Sequence, residues 1–234
     1  MRLIKLNTRW ACVVLACLFL ACSAGNSRTG QPAHPAGAVK GAPGVAITPK
    51  NFPDHTLRDV KDAFRLAKAL GDHTVLIYQW QHLDLKVAEL MVTLSRKAGV
   101  NPILGLSPTT LDQGRKELDV VGLTTYPSYF HKTPADLVPD YYSWVYRHAR
   151  RSDEILLMEV GWPTGGSGSE GEQVAYIRRL PALLEPVNVS VVAWALLHGI
   201  ALPEFDADLN TVGLITNKGR KKPGYEEFKA LKNH

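Results

Sequence analysis

The sequence predicts an α/β protein whose core is a sheet of parallel β-strands covered by α-helices. From Gly44 onward, short apolar runs of strand length alternate with longer segments whose apolar residues recur at helical spacing. This alternation is typical of βα units, in which a helix carries the chain from one parallel strand to the next. The composition, 45% hydrophobic and 21% charged over 234 residues, is that of a globular protein with a large core.

Six apolar runs have the length of strands that are buried on both faces. The predicted strands cover 44–48, 74–80, 101–107, 119–128, 154–162 and 190–198. The amphipathic segments between and after them predict helices at about 56–70, 88–98, 134–150, 169–184 and 224–231. Thr56 and Asp59 have the spacing of a capping box at the start of the first helix, and Gly71 marks its end.

The N-terminus has the pattern of a secretory signal. Arg2, Lys5 and Arg9 precede an apolar run at 11–21, and together they correspond to the charged and hydrophobic regions of such a signal. These three residues carry more than half of the formal net charge of +5, so a mature chain would carry only +2. A charge so close to zero offers no electrostatic argument for nucleic-acid binding, and we expect none.

The end of the apolar run, FLACSAG at 19–25, resembles a bacterial lipobox, in which a signal ends before a cysteine that is then lipidated. Cys22 is the predicted lipidation site. Cys17 at the end of VLAC is a rival site, and ordinary cleavage after an alanine, with Cys22 incidental, is the alternative. No cysteine follows Cys22, so no disulfide is predicted in the exported domain.

The chain is predicted to fall into three parts. Residues 1–21 form the signal peptide and residues 44–234 the folded domain. Between them, residues 22–43 are rich in Gly, Ala, Pro and Ser and contain almost no large apolar side chain, so they cannot bury enough surface to fold. The sequence therefore predicts an exported lipoprotein that a flexible tether holds at a membrane.

One carboxylate, Glu159, lies inside the fifth predicted strand, in EILLMEVGWPTGG at 154–166. Taking an unpaired carboxylate out of water costs several kcal/mol, so Glu159 needs a partner or a function. In parallel α/β folds ligands bind at the carboxyl ends of the strands, and Glu159 lies at that end. The alternative is a buried ion pair between Glu159 and a lysine or arginine.

Aromatic residues lie at the ends of the other predicted strands. They are Trp80 at the end of the second strand, Tyr126 in the fourth, Trp162 just after Glu159, and Trp194 in the sixth. Flat aromatic rings stack on the apolar faces of sugars, and polar groups around them bond the hydroxyls. Several such rings on one edge beside a carboxylate predict a carbohydrate site.

Three segments resemble the retaining glycoside hydrolases of the (β/α)8 group called clan A, especially galactanase-like and β-glucanase-like members. The segments are DVVGLTTYPS at 119–128, MEVGWPT at 158–164 and TVGLITNKGRKKPGYEEFKAL at 211–231. The resemblance implies a TIM-barrel-like fold with Glu159 as nucleophile, Tyr126 bonded to it and Trp194 as the floor of the sugar site. It also implies double displacement, with a second carboxyl group about 5 to 5.5 Å away as acid and base.

The sequence departs from this group in two ways. Members carry the acid as a Glu directly after an Asn, at the end of barrel strand four, and this chain contains no Asn-Glu pair. Only residues 108–118 separate the third and fourth predicted strands, which is enough for one crossover but not for two more βα units. We therefore expect a shortened or incomplete barrel of about six βα units, without barrel strands four and five.

Two functions remain compatible with the sequence. The first is retaining hydrolysis through Glu159, impaired or using another acid; the second is a glycan-binding lipoprotein without catalysis. The histidines show no ligand spacing, and neither a metal nor a cofactor is predicted. Five carboxylates could replace the missing acid. For two of them, Asp54 and Asp206, capping of a helix or turn is the favoured role. These five are Asp54, Asp84, Asp112, Glu204 and Asp206.

Overall fold

The computed structural model describes residues 41–76, 85–104, 120–147, 151 and 154–233. The strands are β1 Ala42–Ala46, β2 His73–Leu76, β3 Asn101–Leu104, β4 Val120–Thr125, β5 Glu154–Val160 and β6 Val189–Trp194. The helices are α1 Leu57–Leu70, α2 Leu85–Lys97, α3 Glu170–Leu184, α4 Ala207–Thr211 and α5 Pro223–Ala230. The predicted signal, nearly all of the tether, Cys22 and Trp80 lie outside the described residues.

The described strands form one parallel sheet in the order β3-β2-β1-β6-β5-β4. The first strand pairs with the last, Ala42 opposite Val191, as happens when a βα sheet curls toward a closed barrel. β3 and β4 follow each other in sequence but lie at opposite edges, where barrel strands four and five would stand in a complete barrel. The prediction of a shortened, TIM-barrel-like parallel sheet is confirmed.

Helix α1 shows how the sequence builds the outer layer. Thr56 Oγ1 accepts a hydrogen bond from Asp59 N at 3.2 Å, and Asp59 Oδ2 accepts one from Thr56 N at 2.8 Å, so the predicted capping box is present. Its buried face, which includes Val60 and Phe64, packs into the main core between the sheet and the helices. No helix in the described part of the chain is long and apolar enough to cross a membrane.

The helix predicted at 134–150 is wrong. The chain instead forms two short 3-10 helices, Pro134–Asp136 and Tyr141–Arg147, with a turn between them. Pro139 disfavours the α conformation for Val138, the residue before it, and this ends the first turn. Helix α4, which the sequence reading missed, has only five residues and starts from an Asp206 cap.

Candidate active site

A β-bulge decides where Glu159 points. The side chains of Leu157 and Val160 both belong to the core between sheet and helices, although strict alternation would place only one of them there. Leu157 pairs with Val192 and Val160 pairs with Trp194, so β5 advances by three residues where β6 advances by two. The extra residue turns Glu159 to the inner face of the sheet instead of the helix layer.

On that face a hydrogen bond from Tyr126 holds the carboxylate of Glu159. Tyr126, which directly follows β4, donates its hydroxyl to Glu159 Oε2 at 2.8 Å. Glu159 is only 7% exposed, and this burial raises its pKa to about 6 because the charged form loses its hydration. The bond from Tyr126 acts in the opposite direction, since it stabilises the carboxylate. Glu159 is thus ionised above about pH 6 and protonated below it.

Val212 packs beside Tyr126 and forms one wall of the site. Its side chain shares an apolar cluster with Tyr126, and a methyl group added at Gly161 would collide with Val212 Cγ2. A glycine two residues after Glu159 is therefore what lets Val212 approach the strand end. Leu196 in the same cluster has φ 62°, a left-handed conformation that costs a bulky residue on the order of 1 kcal/mol or more.

The backbone that carries Val212 is fixed by buried donors. Gln173 of α3 donates to Val212 O at 3.0 Å, and so does the indole of Trp194. The ammonium of Lys222 donates to Thr211 O at 2.5 Å, and burial lowers the pKa of Lys222 to about 8. Residues from a helix, a strand and the segment after α4 thus converge on the wall of the site. The sequence reading missed this junction, because its partners are far apart in the chain.

The structure does not place Trp162 and Trp194 where a sugar could stack. Trp162 is 1% exposed and Trp194 0% exposed, and both rings pack against Tyr176 of α3 at centroid distances of 5.5 and 5.9 Å. The pleat explains this position, because Ala193 occupies the inner face and its neighbour Trp194 must face the helices. The prediction of these two residues as sugar platforms is therefore corrected. Tyr126 does lie beside Glu159.

No second buried carboxylate accompanies Glu159 among the described residues. Asp206 caps helix α4, where it accepts a hydrogen bond from Leu209 N at 2.8 Å, in the favoured capping role. Asp54 and Glu204 are exposed, and no cap by Asp54 is seen. The remaining candidates, Asp84 and Asp112, lie outside the described residues. The described ranges also contain no cluster of His, Cys, Asp and Glu that could hold a metal ion.

Two exposed aromatic residues follow Tyr126, and the sequence reading missed both. Tyr129 is 45% exposed and Phe130 60% exposed. The signal was available, because both directly follow the predicted fourth strand, in the segment YPSYF at 126–130. Their rings stay outside the core because Pro127 starts a 3-10 turn that ends the strand.

No family model and no curated protein matches the chain, whereas many solved structures do. A GH5_18 protein from Bifidobacterium longum subsp. infantis superposes with a TM-score of 0.64 at 12% identity over 83% of this chain and 79% of that one. The chain has a shortened TIM-barrel-like fold, similar to the barrel of this GH5_18 protein. The exo-β-1,4-mannosidase Op5Man5 from Opitutaceae bacterium strain TAV5 has a TM-score of 0.60 at 14% identity over 85% of this chain, which spans 60% of that protein.

A third neighbour is the glycoside hydrolase family 17 β-1,3-glucanosyltransferase from Rhizomucor miehei. Its TM-score is 0.59 at 14% identity, over 80% of this chain and 96% of that one. At such identities the likeness concerns the fold alone. The scaffold predicted from the resemblance is therefore confirmed, and the chemistry rests on the residues of this chain.

Proposed function

We propose that the protein acts on β-linked oligosaccharides or polysaccharides by a retaining mechanism with Glu159 as nucleophile. The observation that carries the proposal is the carboxylate itself, which a bulge turns to the inner face at a strand end and which Tyr126 binds at 2.8 Å. A buried ion pair, the alternative reading, has no support, because no cation contacts Glu159 among the described residues. The fold of the neighbours agrees with such a role.

The proposed reaction has two displacements. The ionised Glu159 attacks the anomeric carbon, the glycosidic C–O bond breaks, and the leaving oxygen takes a proton from an acid or from water. Water then attacks the resulting glycosyl ester and releases the carboxylate. Tyr126 orients the attacking oxygen of Glu159. Because the pKa of Glu159 is about 6, we expect the rate to fall as the pH drops below that value.

The usual general acid of this mechanism is absent from the chain. The sequence has no Asn-Glu pair, and general acid catalysis typically contributes about 10² to 10⁴ in rate. Substrates whose leaving groups need no proton lose least from its absence. We therefore expect nitrophenyl glycosides to be cleaved faster than natural polysaccharides of the same sugar.

The test compares both substrate classes for the native protein and for Glu159→Gln, which keeps the shape and removes the nucleophilic charge. We expect slow cleavage of nitrophenyl glycosides, reduced at least about 10³-fold in the variant, as for loss of a nucleophile. Glu154→Gln, at an exposed carboxyl group at the opposite end of β5, is the matched control and should keep full activity. Activity that survives in Glu159→Gln would return Glu159 to a structural role.

The second candidate is a lipoprotein that binds glycan without cleaving it. The observation in its favour is that no other buried carboxylate stands beside Glu159 in the described ranges. Polysaccharide binding by the native protein, with no turnover of either substrate class, would establish it.

Both candidates place the protein at a membrane through lipidated Cys22, a proposal that rests on the leader sequence alone. The substitution Cys22→Ser should release the protein from the membrane fraction, and Cys17→Ser should not. Unchanged fractionation of Cys22→Ser would remove the lipid anchor from the proposal.

A further inference from the structure

The turn after β4 is held by hydrogen bonds and carries aromatic rings at the β4 edge of the described sheet. Tyr129 N donates to Tyr126 O at 3.2 Å, and Phe130 N donates to Pro127 O at 3.0 Å. Tyr129 is held further by its hydroxyl, which donates to Asp206 Oδ2 at 3.2 Å, and by an edge-on contact with the ring of Tyr126 at 6.1 Å. The backbone and one of the two rings are therefore set before any ligand arrives.

Despite this fixed frame, the rings face solvent. Phe130, at 60%, has the largest exposed fraction among the large hydrophobic residues that are exposed in the described part of the chain, and Tyr129 is 45% exposed. Single exposed apolar side chains are ordinary on protein surfaces. Two adjacent exposed aromatic rings on a hydrogen-bonded turn are less common. Exposed apolar groups that cluster in this way tend to mark binding surfaces.

The position of the turn connects it with Glu159. Tyr129 and Tyr126 line the same small cleft, together with Pro163 and Asp208, and Tyr126 donates to the Glu159 carboxylate. This cleft is too tight to admit a water molecule, so a sugar chain bound at Glu159 would lie over the exposed faces of Tyr129 and Phe130 rather than inside the cleft.

We propose that Tyr129 and Phe130 form a platform that binds a pyranose unit of an oligosaccharide next to the unit held at Glu159. The inference rests on the proposed function and adds that the ligand is a chain of at least two sugar units. The rings supply flat apolar faces for the C–H face of the sugar, and the Asp206 carboxylate lies at the edge of the platform as an acceptor for a hydroxyl group.

The experiment measures binding in the full-length chain that carries Glu159→Gln, so that cleavage does not consume the ligand. The probes are soluble β-1,3-glucan, β-1,4-mannan and β-1,4-galactan, followed by affinity electrophoresis and calorimetry. Tyr129→Ala and Phe130→Ala are compared with Leu90→Ala. Leu90 lies on α2 and is 45% exposed, the same fraction as Tyr129. Thermal unfolding of each variant checks that it is folded.

We expect each ring substitution to weaken binding of the glycan roughly 3- to 10-fold, as for the loss of one aromatic contact, and Leu90→Ala to leave it unchanged. Phe130→Trp should retain binding, since it keeps a flat ring. Unaltered affinity in the Tyr129→Ala, Phe130→Ala double variant would overturn the platform while leaving the proposed function in place. Failure of all three glycans to bind the Glu159→Gln chain would overturn both.

Discussion

Two groups of aromatic residues lie near the strand ends, and one is buried whereas the other is partly or largely exposed. Trp162 and Trp194 join Tyr176 and Phe228 in a closed cluster beneath the helices, with successive ring centroids 5.5 to 5.9 Å apart. Tyr126, Tyr129 and Phe130, the rim group, lie on the turn after β4 with partly or largely exposed rings. In the sequence both groups look alike, as aromatic residues at the ends of apolar runs.

The difference teaches that position along a strand does not define a site, whereas the face of the strand does. Trp194 lies at the correct end of β6 but on the helix face, so its ring serves packing and its indole nitrogen anchors Val212. Glu159 reaches the inner face only because of the bulge in β5. The helix-side cluster should therefore control stability, and the rim group should control ligand binding and the state of Glu159.

The strongest way to break this comparison is to truncate one residue from each group. Trp194→Ala should lower the free energy of unfolding by about 3–5 kcal/mol, because it leaves a large cavity and removes one of the two hydrogen bonds to Val212 O. Phe130→Ala should change it by less than about 0.5 kcal/mol, since its ring is exposed. Denaturant unfolding measures both values. Equal losses in the two variants would contradict the division into packing and binding groups.

A second substitution tests the close approach of Val212 to the strand end. Gly161→Ala places a methyl group against Val212 Cγ2 and should destabilise the fold by about 1–3 kcal/mol. Adding Val212→Ala makes room for that methyl group, so the double variant should lose less than the sum of the two single variants. Additive losses measured by thermal unfolding would show that this contact does not shape the site.

The raised pKa of Glu159 predicts a pH-dependent difference between the native protein and Glu159→Gln. The folded protein holds the proton more tightly than the unfolded chain, with a pKa of about 6 against 4.5. This contribution to stability is complete below about pH 4.5 and is lost as the pH rises through 6. Relative to the native protein, the Gln variant should therefore gain about 2 kcal/mol between pH 4 and pH 8.

Unfolding curves at the two pH values measure this gain, and Glu204→Gln controls for the substitution itself. A gain of the opposite sign would show that Glu159 is stabilised as the carboxylate, as in an ion pair.

The smallest expected effect sharpens the role of Tyr126. The hydrogen bond that it donates lowers the pKa of Glu159, so Tyr126→Phe should raise that pKa further and shift the acidic limb of any activity profile upward. Carbon-13 NMR titration of the Glu159 carboxyl group measures the shift without activity. Tyr129→Phe also loses a phenol on the same turn, but its partner is Asp206, so it should leave the titration unchanged.

The sequence by itself determined the elements and their direction. Apolar runs and helical periodicity are local patterns, so the six strands, the capping box at Thr56 and the position of Glu159 at a strand end could all be predicted from neighbouring residues. Local patterns failed at 134–150, where Pro139 outweighed the helical spacing, and they missed the five-residue helix α4. The TIM-barrel-like fold was predicted from three short segments that resemble clan A glycoside hydrolases.

Only the tertiary structure decided which side chains meet. The inner-face position of Glu159 depends on how β5 registers against β4 and β6, and a one-residue slip in register turns a side chain to the opposite face. The bond from Gln173 to Val212 spans 39 residues, and the bond from Tyr126 to Glu159 spans 33. Such contacts arise when separate elements pack against one another, and no local pattern encodes them.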